Sequence, residues 1–376
     1  MKIAIIRLGL AIREKESSYN VQEIGLAKAM IGMGHNVEVC YFLDKIHAPE
    51  LSNKNSFVTY YPCYAIGHQI LISTSYFEGN QWDGIIIFCD NKMSANILIK
   101  WCKKEKIKYL CYYGLYHTDS TNIINKFFDA IITKTNYKWL SCSKNVTKTK
   151  AVRDVLLKNG LPVTKVIPVG LDENLLVDVL SDLENVKFKD ELNIREGDLV
   201  LLFVGRLTKA KNPLMAIKIL EKLNDIGVPT SLVLIGQGIL EDEVLKQIHE
   251  SIYEEKIVYR KKVQYNEMYK YYSISDVFMN FSSIEIFGMA ILEAMYYGCG
   301  VVAHKAPGPN DIIKNGVNGM LLDTNDVDEW INAVKIANTS RIVSAAMFDC
   351  REQYTWKSIA DKFLDALGED NEKLYE

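Results

Sequence analysis

The fold is decided by the stretch VFMNFSSIEIFGMAILEAMYYGCGVVAH, which spans residues 277–304. It opens with an apolar run at Val277–Phe281, continues through a polar turn into a helical pattern at Met289–Tyr297, and ends in a second apolar run at Gly300–His304. Short continuous apolar runs are typical of strands that are buried on both faces of a parallel sheet. The stretch therefore predicts a strand–helix–strand unit of an α/β fold.

The same alternation extends along the chain in both directions and is interrupted once. One series starts at Lys2–Ile6 and includes a predicted strand at Ala130–Thr133, and a second series starts at Leu199–Val204. An irregular acidic stretch follows Pro168 and separates the two. Two such series predict two domains whose parallel sheets face a central cleft, with ligands beyond the carboxyl ends of the strands. The predicted domains are residues 1–168, completed by an amphipathic C-terminal helix at about 355–376, and residues 169–354.

The composition excludes several classes of protein. The 376 residues carry 44 Lys and Arg against 47 Asp and Glu, so the chain has no global basic field for nucleic acid. Eight cysteines are scattered without a CxxC pair, as is typical of reduced thiols in the cytosol. The start MKIAIIRLGL turns polar too soon for a signal peptide, and no apolar run reaches the length of a membrane span. We therefore expect a cytoplasmic protein without a nucleic-acid partner.

Two glutamates flank the start of the helix predicted in the opening stretch. Glu285 precedes a turn formed by Phe287 and Gly288, and Glu293 lies about one and a half turns into the helix. The glycine lets the backbone approach a ligand closely, and the first N–H groups of the helix would face an anion. Two carboxylates beside such a site can accept hydrogen bonds from sugar hydroxyls. Alternatively, Glu293 is an ordinary charge on a helix surface and Glu285 is a loop charge.

Two cations follow the first strand of the second series. In VGRLTKAKNP, Val204–Pro213, Arg206 and Lys211 come directly after a buried strand. Both are expected at its carboxyl end, where a planar guanidinium and a compact ammonium suit a phosphate. The alternative is a pair of exposed loop cations without a ligand.

The pairing of GRLTKAKNP with EIFGMAILEAMYYGCGVVA resembles glycosyltransferase family 4, whose members are retaining enzymes with the GT-B fold of two Rossmann-like domains. SDVFMNFSS and PGPNDIIKNGVNGML extend the resemblance over nearly all of the second domain. Two acids form an E-x7-E motif in that family, and Glu285 and Glu293 match it. The resemblance implies that Arg206 and Lys211 bind the diphosphate of the donor. It also implies that Glu293 holds the ribose hydroxyls and that Glu285 contacts the sugar ring.

The first domain is similar to the family more loosely. NVQEIGLAKAMIGMGHNVEV resembles the family's first helix and second strand, but Ser17 and Ser18 stand where the family has a glycine pair. YHTD, which contains His117, resembles a strand-end His-Asp of the family with Thr118 inserted. The resemblance implies a catalytic role for His117 and an acceptor-binding role for this domain.

The function implied by the resemblance is transfer of a sugar, with retention, from a nucleotide-sugar donor to a saccharide or lipid-linked acceptor. UDP is the expected nucleotide because it is the most frequent one, and synthesis of a cell-surface polysaccharide or glycoconjugate is the expected setting. Neither a metal nor another cofactor is expected. Backbone groups around Lys262 and Val263 are expected to contact the base. The predicted catalytic residues are Arg206, Lys211, Glu285 and His117, and the predicted donor-binding residues are Glu293, Phe287, Gly288, Met289, Ala290, Lys262 and Val263.

Two short motifs suggest other sites, and both have a simpler explanation. Gly236-Gln-Gly238 follows a strand but lacks the third glycine of a dinucleotide fingerprint. Asp326-Val-Asp328 is similar to a metal-binding DxD motif, but together with Glu329 it is a typical helix cap. The alternatives for the whole protein are a sugar-nucleotide epimerase or a phosphorylase of the same fold, a non-catalytic nucleotide-sugar-binding subunit, and an NAD-dependent dehydrogenase.

Basic residues are concentrated in one part of the first domain. Between Lys100 and Lys165 there are fourteen basic and four acidic residues. Such a segment is typical either of solvated helix faces or of a patch that meets an anionic lipid surface or an anionic acceptor. We expect peripheral contact with an anionic membrane, at the inner face of the plasma membrane. The expected contact residues are Lys134, Lys138, Lys144, Lys148 and Lys150, with Trp139 and Leu140 dipping into the interface.

Overall fold

The computed structural model describes residues 1–10, 21–44, 57–66, 69–90, 92–114, 123–172 and 180–368, with backbone only for residues 123–129. The chain divides into two compact units, Met1–Gly170 with Trp356–Glu376, and Leu171–Thr355. The chain passes from the first unit to the second after Gly170, whereas the sequence pattern predicted the boundary after Pro168. Each unit is built on its own sheet, as expected for this α/β class.

The first sheet has eight strands within the described residues. They are β1 (Lys2–Leu10), β2 (Asn36–Asp44), β3 (Val58–Ile66), β4 (Gln69–Leu71), β5 (Gly84–Phe88), β6 (Lys108–Tyr113), β7 (Asn145–Thr147) and β8 (Lys165–Val166). The strand order is β4-β3-β2-β1-β5-β6-β7-β8. All pairings are parallel except the edge pair of β3 with β4, which is antiparallel.

Four helices in the described part of the first unit lie between these strands along the chain. They are α1 (Gln22–Gly32), α2 (Ala95–Lys104), α3 (Ile123–Leu140) and α4 (Lys150–Lys158). The strand predicted at Ala130–Thr133 is wrong, because these residues lie inside α3. A run of four mostly apolar residues fits a buried strand and a helix equally well, and here the helical pattern continues on both sides of it.

In the part of the chain that the structure describes, the second sheet has six strands, and they are paired in parallel throughout. The strands are β9 (Leu199–Val204), β10 (Thr230–Ile235), β11 (Ile257–Arg260), β12 (Val277–Asn280), β13 (Gly300–His304) and β14 (Met320–Leu322). Their order is β11-β10-β9-β12-β13-β14. The strand–helix–strand unit predicted for residues 277–304 is therefore confirmed.

The second unit has eight α-helices in its described part. They are α5 (Asp182–Glu191), α6 (Leu214–Asp225), α7 (Glu241–Glu250), α8 (Met268–Ser273), α9 (Met289–Tyr296), α10 (Pro307–Ile312), α11 (Val327–Ala337) and α12 (Ser340–Gln353). The ring of Phe281, just after β12, packs between Phe203 at 6.2 Å and Trp330 at 4.4 Å. These aromatic contacts fix the point from which the loop after β12 leaves the core.

The last helix, α13 (Trp356–Gly368), belongs to the first unit and packs on α1. A Cβ atom on Gly25 of α1 would lie 2.1 Å from Nε1 of Trp356, and one on Gly84 would lie 2.3 Å from Cδ2 of Leu367. Glycine at both positions therefore makes room for the apolar face of α13. None of the helices in the described ranges combines the length and the apolar character that crossing a bilayer requires.

Candidate functional site

The candidate site lies where the strand order of the second sheet reverses. β9 lies between β10 and β12. The next two strands in the sequence, β10 and β11, lie on one side of β9, and β12, β13 and β14 lie on the other side. In open α/β sheets, ligands bind beyond the carboxyl ends of the strands at such a switch point. The loops that leave β9 and β12 at this edge carry the predicted residues Arg206, Lys211 and Glu285.

Lys211 and Glu285 form an ion pair across these two loops. Lys211 ends a short turn of 3-10 helix, Lys209–Lys211, which is followed by Asn212 in the left-handed conformation. The Nζ atom of Lys211 donates to Oε2 of Glu285, and only 25% of the lysine side chain and 19% of the glutamate side chain are exposed. Nδ2 of Asn280 donates to the same oxygen at 3.5 Å. Two of the predicted residues are therefore in direct contact.

Arg206 lies on the same loop as Lys211 but has a different environment. Its side chain is exposed, and its guanidinium makes no hydrogen bond or ion pair within the described ranges. The backbone around it is held in place, because the N–H groups of Gly205 and Leu207 each donate at 3.0 Å, to the carbonyls of Ile235 and Gln237. The guanidinium donors of Arg206 are therefore available to an anion that approaches this edge of the sheet.

The glycines of Gly236-Gln-Gly238 have a packing role. A Cβ atom on Gly236 would lie 1.8 Å from the carbonyl oxygen of Gly205, and one on Gly238 would lie 2.4 Å from the carbonyl oxygen of Leu207. No side chain fits at these distances, so both residues must be glycine for the loops after β9 and β10 to meet. Their spacing is thus explained by the contact between the two loops, without a dinucleotide.

The helix α9 begins at this site, with Gly288 as its N-cap. Gly288 has a φ of 99°, in the left-handed region that favours glycine. Phe287 is 4% exposed and anchors the turn in the core, whereas Met289 and Ala290 are half-buried. Because α9 follows β12, its N-terminal end lies at the same edge of the sheet as the ion pair. The helix dipole makes this end of α9 positive.

Gly308, at the start of α10, holds the loop after β12 from the other side, although it was not among the predicted site residues. Its N–H donates to the carbonyl of Glu285 at 2.9 Å. A Cβ atom on Gly308 would lie 2.1 Å from the carbonyl oxygen of Phe287. The signal was present in PGPNDIIKNGVNGML, because a glycine between two prolines at a helix start suggests a close backbone contact.

Glu293 is buried, so the interpretation as a charge on a helix surface is wrong. Only 4% of the residue is exposed. The phenol of Tyr272 donates to Oε2 of Glu293 at 2.8 Å, while Oε1 has no hydrogen-bond partner among the described residues. Burial raises the pKa of the Glu293 carboxyl well above its usual range. A buried carboxyl group with one unused oxygen is unusual at a purely structural position.

Other predicted residues lie apart from this cluster or outside the described ranges. Lys262 and Val263 follow β11 at the same edge of the sheet, with Lys262 exposed and Val263 half-buried. They lie two strands away from β9, and their contact with a base stays a prediction. His117, Ser17 and Ser18 lie outside the described residues.

The Asp326-Val-Asp328 motif caps a helix. Oδ1 of Asp326 accepts the N–H groups of Asp328 at 2.9 Å and of Glu329 at 3.1 Å, at the start of α11. This is the capping arrangement that the sequence predicts. Elsewhere in the described ranges, no three His, Cys, Asp or Glu side chains come close enough to hold a metal ion.

The structure corrects part of the predicted membrane-contact segment. Lys144 is 2% exposed and donates to the carbonyl of Ala366 at 2.8 Å, and Leu140 is 1% exposed. Both are buried because the chain passes here from the end of α3 into β7. Lys144 and Leu140 therefore cannot touch a membrane surface. Of the other predicted contact residues, Lys134, Lys138 and Lys150 are exposed, and Lys148 and Trp139 are half-buried.

The ring of Trp139 lies between three lysine side chains and the hydrophobic core of the first unit. Its ring is packed on the core cluster of the first unit. The Nζ atoms of Lys100, Lys103 and Lys138 lie 5.0, 5.8 and 5.8 Å from its ring centre. These distances allow cation–π attraction, which holds several positive charges on one surface of α2 and α3.

Comparison with known proteins gives a family match in the second unit. Residues 185–347 match the family model described as "Glycosyl transferases group 1". An uncharacterized glycosyltransferase of Methanocaldococcus jannaschii is 26% identical over 91% of this chain and 91% of its own length. The alpha-monoglucosyldiacylglycerol synthase of Streptococcus pneumoniae is 24% identical over 76% of this chain and 67% of its own length.

A solved structure shares the fold. The crystal structure of HepE from Anabaena in complex with UDP has a TM-score of 0.71 and 16% sequence identity, over 98% of this chain and 99% of that one. This likeness, together with two parallel α/β units, shows that the fold is GT-B. The predicted fold class is therefore confirmed.

Proposed function

Because residues 185–347 match the family model described as "Glycosyl transferases group 1", we propose that the protein transfers a sugar from a nucleotide-sugar donor to a saccharide or lipid-linked acceptor. Relatives over most of the chain also carry the name of glycosyltransferases. The finer parts of the proposal are UDP as the nucleotide, retention at the anomeric carbon, and a role in making a cell-surface polysaccharide or glycoconjugate.

The observation that carries the proposal is the ion pair of Lys211 with Glu285 at the switch point between β9 and β12. Beside it lie the guanidinium of Arg206, which has no partner in the described part of the chain, and the N-terminal end of α9. The two cations and the helix dipole together outweigh the single carboxylate. The site is therefore suited to a diphosphate, while Glu285 can accept a hydrogen bond from a sugar hydroxyl.

The proposed mechanism follows from this charge distribution. As the glycosidic bond to the diphosphate breaks, negative charge builds on the leaving oxygens. Arg206, Lys211 and the N–H groups at the start of α9 are placed to stabilise that charge. We propose that the acceptor attacks from the same face as the leaving group, which retains the configuration without a protein nucleophile.

An assay of donor breakdown tests this proposal. The protein is incubated separately with UDP-, GDP- and ADP-sugars, and free nucleoside diphosphate and transferred or hydrolysed sugar are measured by mass spectrometry. We expect one nucleotide series to react, with UDP-sugars the first candidates. Tight binding of a nucleotide sugar without any turnover, with and without saccharide acceptors, would favour a non-catalytic binding subunit. A product with inverted configuration at C2 would favour an epimerase.

Activity is expected to survive removal of divalent metal. The reason is that Arg206, Lys211 and the helix dipole can neutralise a diphosphate in place of a cation. The measurement is donor breakdown after dialysis against EDTA, with and without added Mg²⁺ or Mn²⁺. Activity that vanished with EDTA and returned with metal would contradict this prediction and would require acidic ligands such as Asp326 and Asp328.

For the acceptor side, we propose that the first unit contacts an anionic membrane through a surface of α3 and α4. This surface carries exposed apolar side chains between lysines: Ile131, Tyr137 and Leu157 are 47%, 44% and 50% exposed. The phenol of Tyr137 donates to the carbonyl of Gly160 at 3.5 Å, which joins α3 to the end of α4. Lys134, Lys138 and Lys158 are exposed on the same two helices. A similar protein of Streptococcus pneumoniae has a name that denotes a lipid product, which supports a lipid-linked acceptor.

The triple substitution of Lys134, Lys138 and Lys150 by glutamate is expected to abolish sedimentation with anionic vesicles. Each basic residue near an anionic surface contributes about 1 kcal/mol, so three reversals remove at least roughly 3 kcal/mol of attraction. The measurement is co-sedimentation with phosphatidylglycerol vesicles at rising salt. Its matched control converts three exposed lysines of the second unit, Lys218, Lys222 and Lys335, to glutamate. Equal losses in both variants, or equal binding to neutral vesicles, would contradict the proposed surface.

A further inference from the structure

A buried hydrogen bond connects α8 to α9 beside the proposed donor site. Tyr272 is 1% exposed and Glu293 is 4% exposed, and the phenol donates to Oε2 of the carboxylate at 2.8 Å. We propose that Tyr272 is a positioning residue: it holds Glu293 so that the second oxygen, Oε1, accepts a ribose hydroxyl of the nucleotide. This inference rests on the proposed function, and it assigns a role to a residue that does not itself touch the donor.

The helix geometry directs Glu293 toward the site. Glu293 is the fifth residue of α9, so its Cα lies about 6 Å along the axis from the first residue. In an α-helix every Cα–Cβ bond tilts toward the N-terminus. This tilt directs the Cα–Cβ bond of Glu293 toward the end of α9 that begins at Gly288, where the diphosphate is proposed to lie.

The carboxylate needs an external partner to hold one orientation. The last torsion of a glutamate side chain has a broad energy profile, so the two oxygens exchange places easily unless a donor selects one of them. The phenol of Tyr272 makes that selection, because it binds Oε2 and leaves Oε1 without a partner among the described residues. A buried carboxylate oxygen without a hydrogen bond costs about 1–3 kcal/mol, and a ribose hydroxyl would recover this cost on binding.

Tyr272 is itself held rigidly. Its ring is stacked on Tyr297 with centres 5.8 Å apart and planes 4° apart, and Phe278 lies on it at 6.4 Å. The thiol of Cys299 donates to the backbone carbonyl of Tyr272 at 3.2 Å. Because both the ring and the backbone of Tyr272 are held in place, its phenol can keep the carboxyl group of Glu293 in one orientation.

The test compares nucleotides with and without one ribose hydroxyl. Titration calorimetry measures UDP, 2′-deoxy-UDP and 3′-deoxy-UDP, or the corresponding GDP or ADP series if the donor assay selects it. For the wild-type protein we expect at least one deoxy form to bind about 10-fold more weakly, because a buried oxygen of Glu293 would be left without its hydrogen bond. In Tyr272→Phe, we expect UDP to bind about 10-fold more weakly than it binds to the wild-type protein. The preference for UDP over that deoxy form is expected to fall to about 2-fold. At saturating donor, kcat should stay within about 3-fold while KM rises.

Tyr271→Phe is the matched control, because it removes the phenolic hydroxyl of the neighbouring residue in α8. Tyr271 is also buried, and its ring packs edge-on against Phe188 and not on Glu293. We expect this variant to keep both the affinity and the preference of the wild-type protein. Equal weakening of UDP and of both deoxy forms in Tyr272→Phe would overturn the inference, since that result shows only a general structural role. Unchanged affinity and preference would overturn it as well.

The double variant Tyr272→Phe/Glu293→Gln covers the case in which the single variant does not fold. With glutamine at position 293, the phenol of Tyr272 is no longer needed to stabilise a carboxylate, so the double variant should fold. Its affinities for UDP and for the two deoxy forms should equal those of the single variant Glu293→Gln. An additional loss in the double variant, equal for all three nucleotides, would overturn the inference. Failure of the wild-type protein to bind any nucleoside diphosphate would instead overturn the proposed function.

Discussion

Replacing Lys211 with alanine is expected to lower donor turnover by about 30- to 1000-fold, which corresponds to roughly 2–4 kcal/mol of transition-state stabilisation. The lysine is largely buried against Glu285 at the switch point, where a positive charge acts most strongly on a leaving diphosphate. Arg206→Ala is expected to have an effect in the same range. Donor breakdown under saturating nucleotide sugar is the measurement, with thermal unfolding as the check that the fold is intact.

Lys209→Ala provides the control for this experiment. Lys209 belongs to the same short turn as Lys211 but is exposed, and it is not paired with Glu285. We expect its turnover to stay within about 3-fold of wild type, because an exposed charge is screened by solvent. Near-wild-type turnover in both Lys211→Ala and Arg206→Ala would contradict the assignment of this edge as the donor site.

The substitution Gly308→Ala is expected to lower turnover about 100-fold although residue 308 carries no functional side chain. The added Cβ would lie 2.1 Å from the carbonyl oxygen of Phe287, 2.3 Å from its carbonyl carbon and 2.4 Å from its Cα. All three are backbone atoms, so the loop that carries Glu285 and the start of α9 must move. A displacement of about 1 Å at a catalytic group can cost about 100-fold in rate, and overpacking costs about 1–3 kcal/mol in stability.

Gly32→Ala is the control, because a Cβ atom there would meet nothing within 4 Å. Gly32 ends helix α1, so alanine is expected to leave turnover unchanged and to stabilise the fold slightly. Turnover and unfolding are measured for both variants. A Gly308→Ala protein with wild-type turnover would show that the loop after β12 does not need its observed position.

Much of the second unit could be predicted because its fold and its chemistry follow from the same strands. Each buried strand there is a continuous apolar run, and cations or acids that directly follow β9 and β12 must lie at one edge of the sheet. The strand pattern placed Lys211 at the carboxyl end of β9, and the family resemblance assigned both Lys211 and Glu285 to the donor. The structure shows the two side chains in contact. The burial of Glu293 and its bond to Tyr272 were not predictable in this way. They depend on how α8 packs against α9, which no local pattern encodes.

The first unit was harder to predict for identifiable reasons. The run at Ala130–Thr133 is too short to distinguish a strand from a helix, and the structure places it in α3. The strands β3 and β4 lie at the edge of the sheet, where Pro62 and several tyrosines obscure the apolar pattern. A run of lysines also does not reveal which of them is buried: Lys144 is buried between α3 and β7, and its ammonium donates to a backbone carbonyl of α13.

A thermal-shift panel of UDP, GDP, ADP and NAD with the wild-type protein and Lys211→Ala tests whether the edge of the sheet between β9 and β12 binds a nucleoside diphosphate. A ligand that binds only the folded protein stabilises it by about 2.7 kcal/mol at 100 times its dissociation constant, a shift of roughly 5–10 °C for a unit of this size. We predict that one nucleoside diphosphate, with UDP the first candidate, raises the melting temperature of the wild-type protein, that Lys211→Ala reduces this shift, and that NAD causes none. A shift with NAD alone, or no shift with any of the three diphosphates, would contradict a nucleotide-sugar site between β9 and β12.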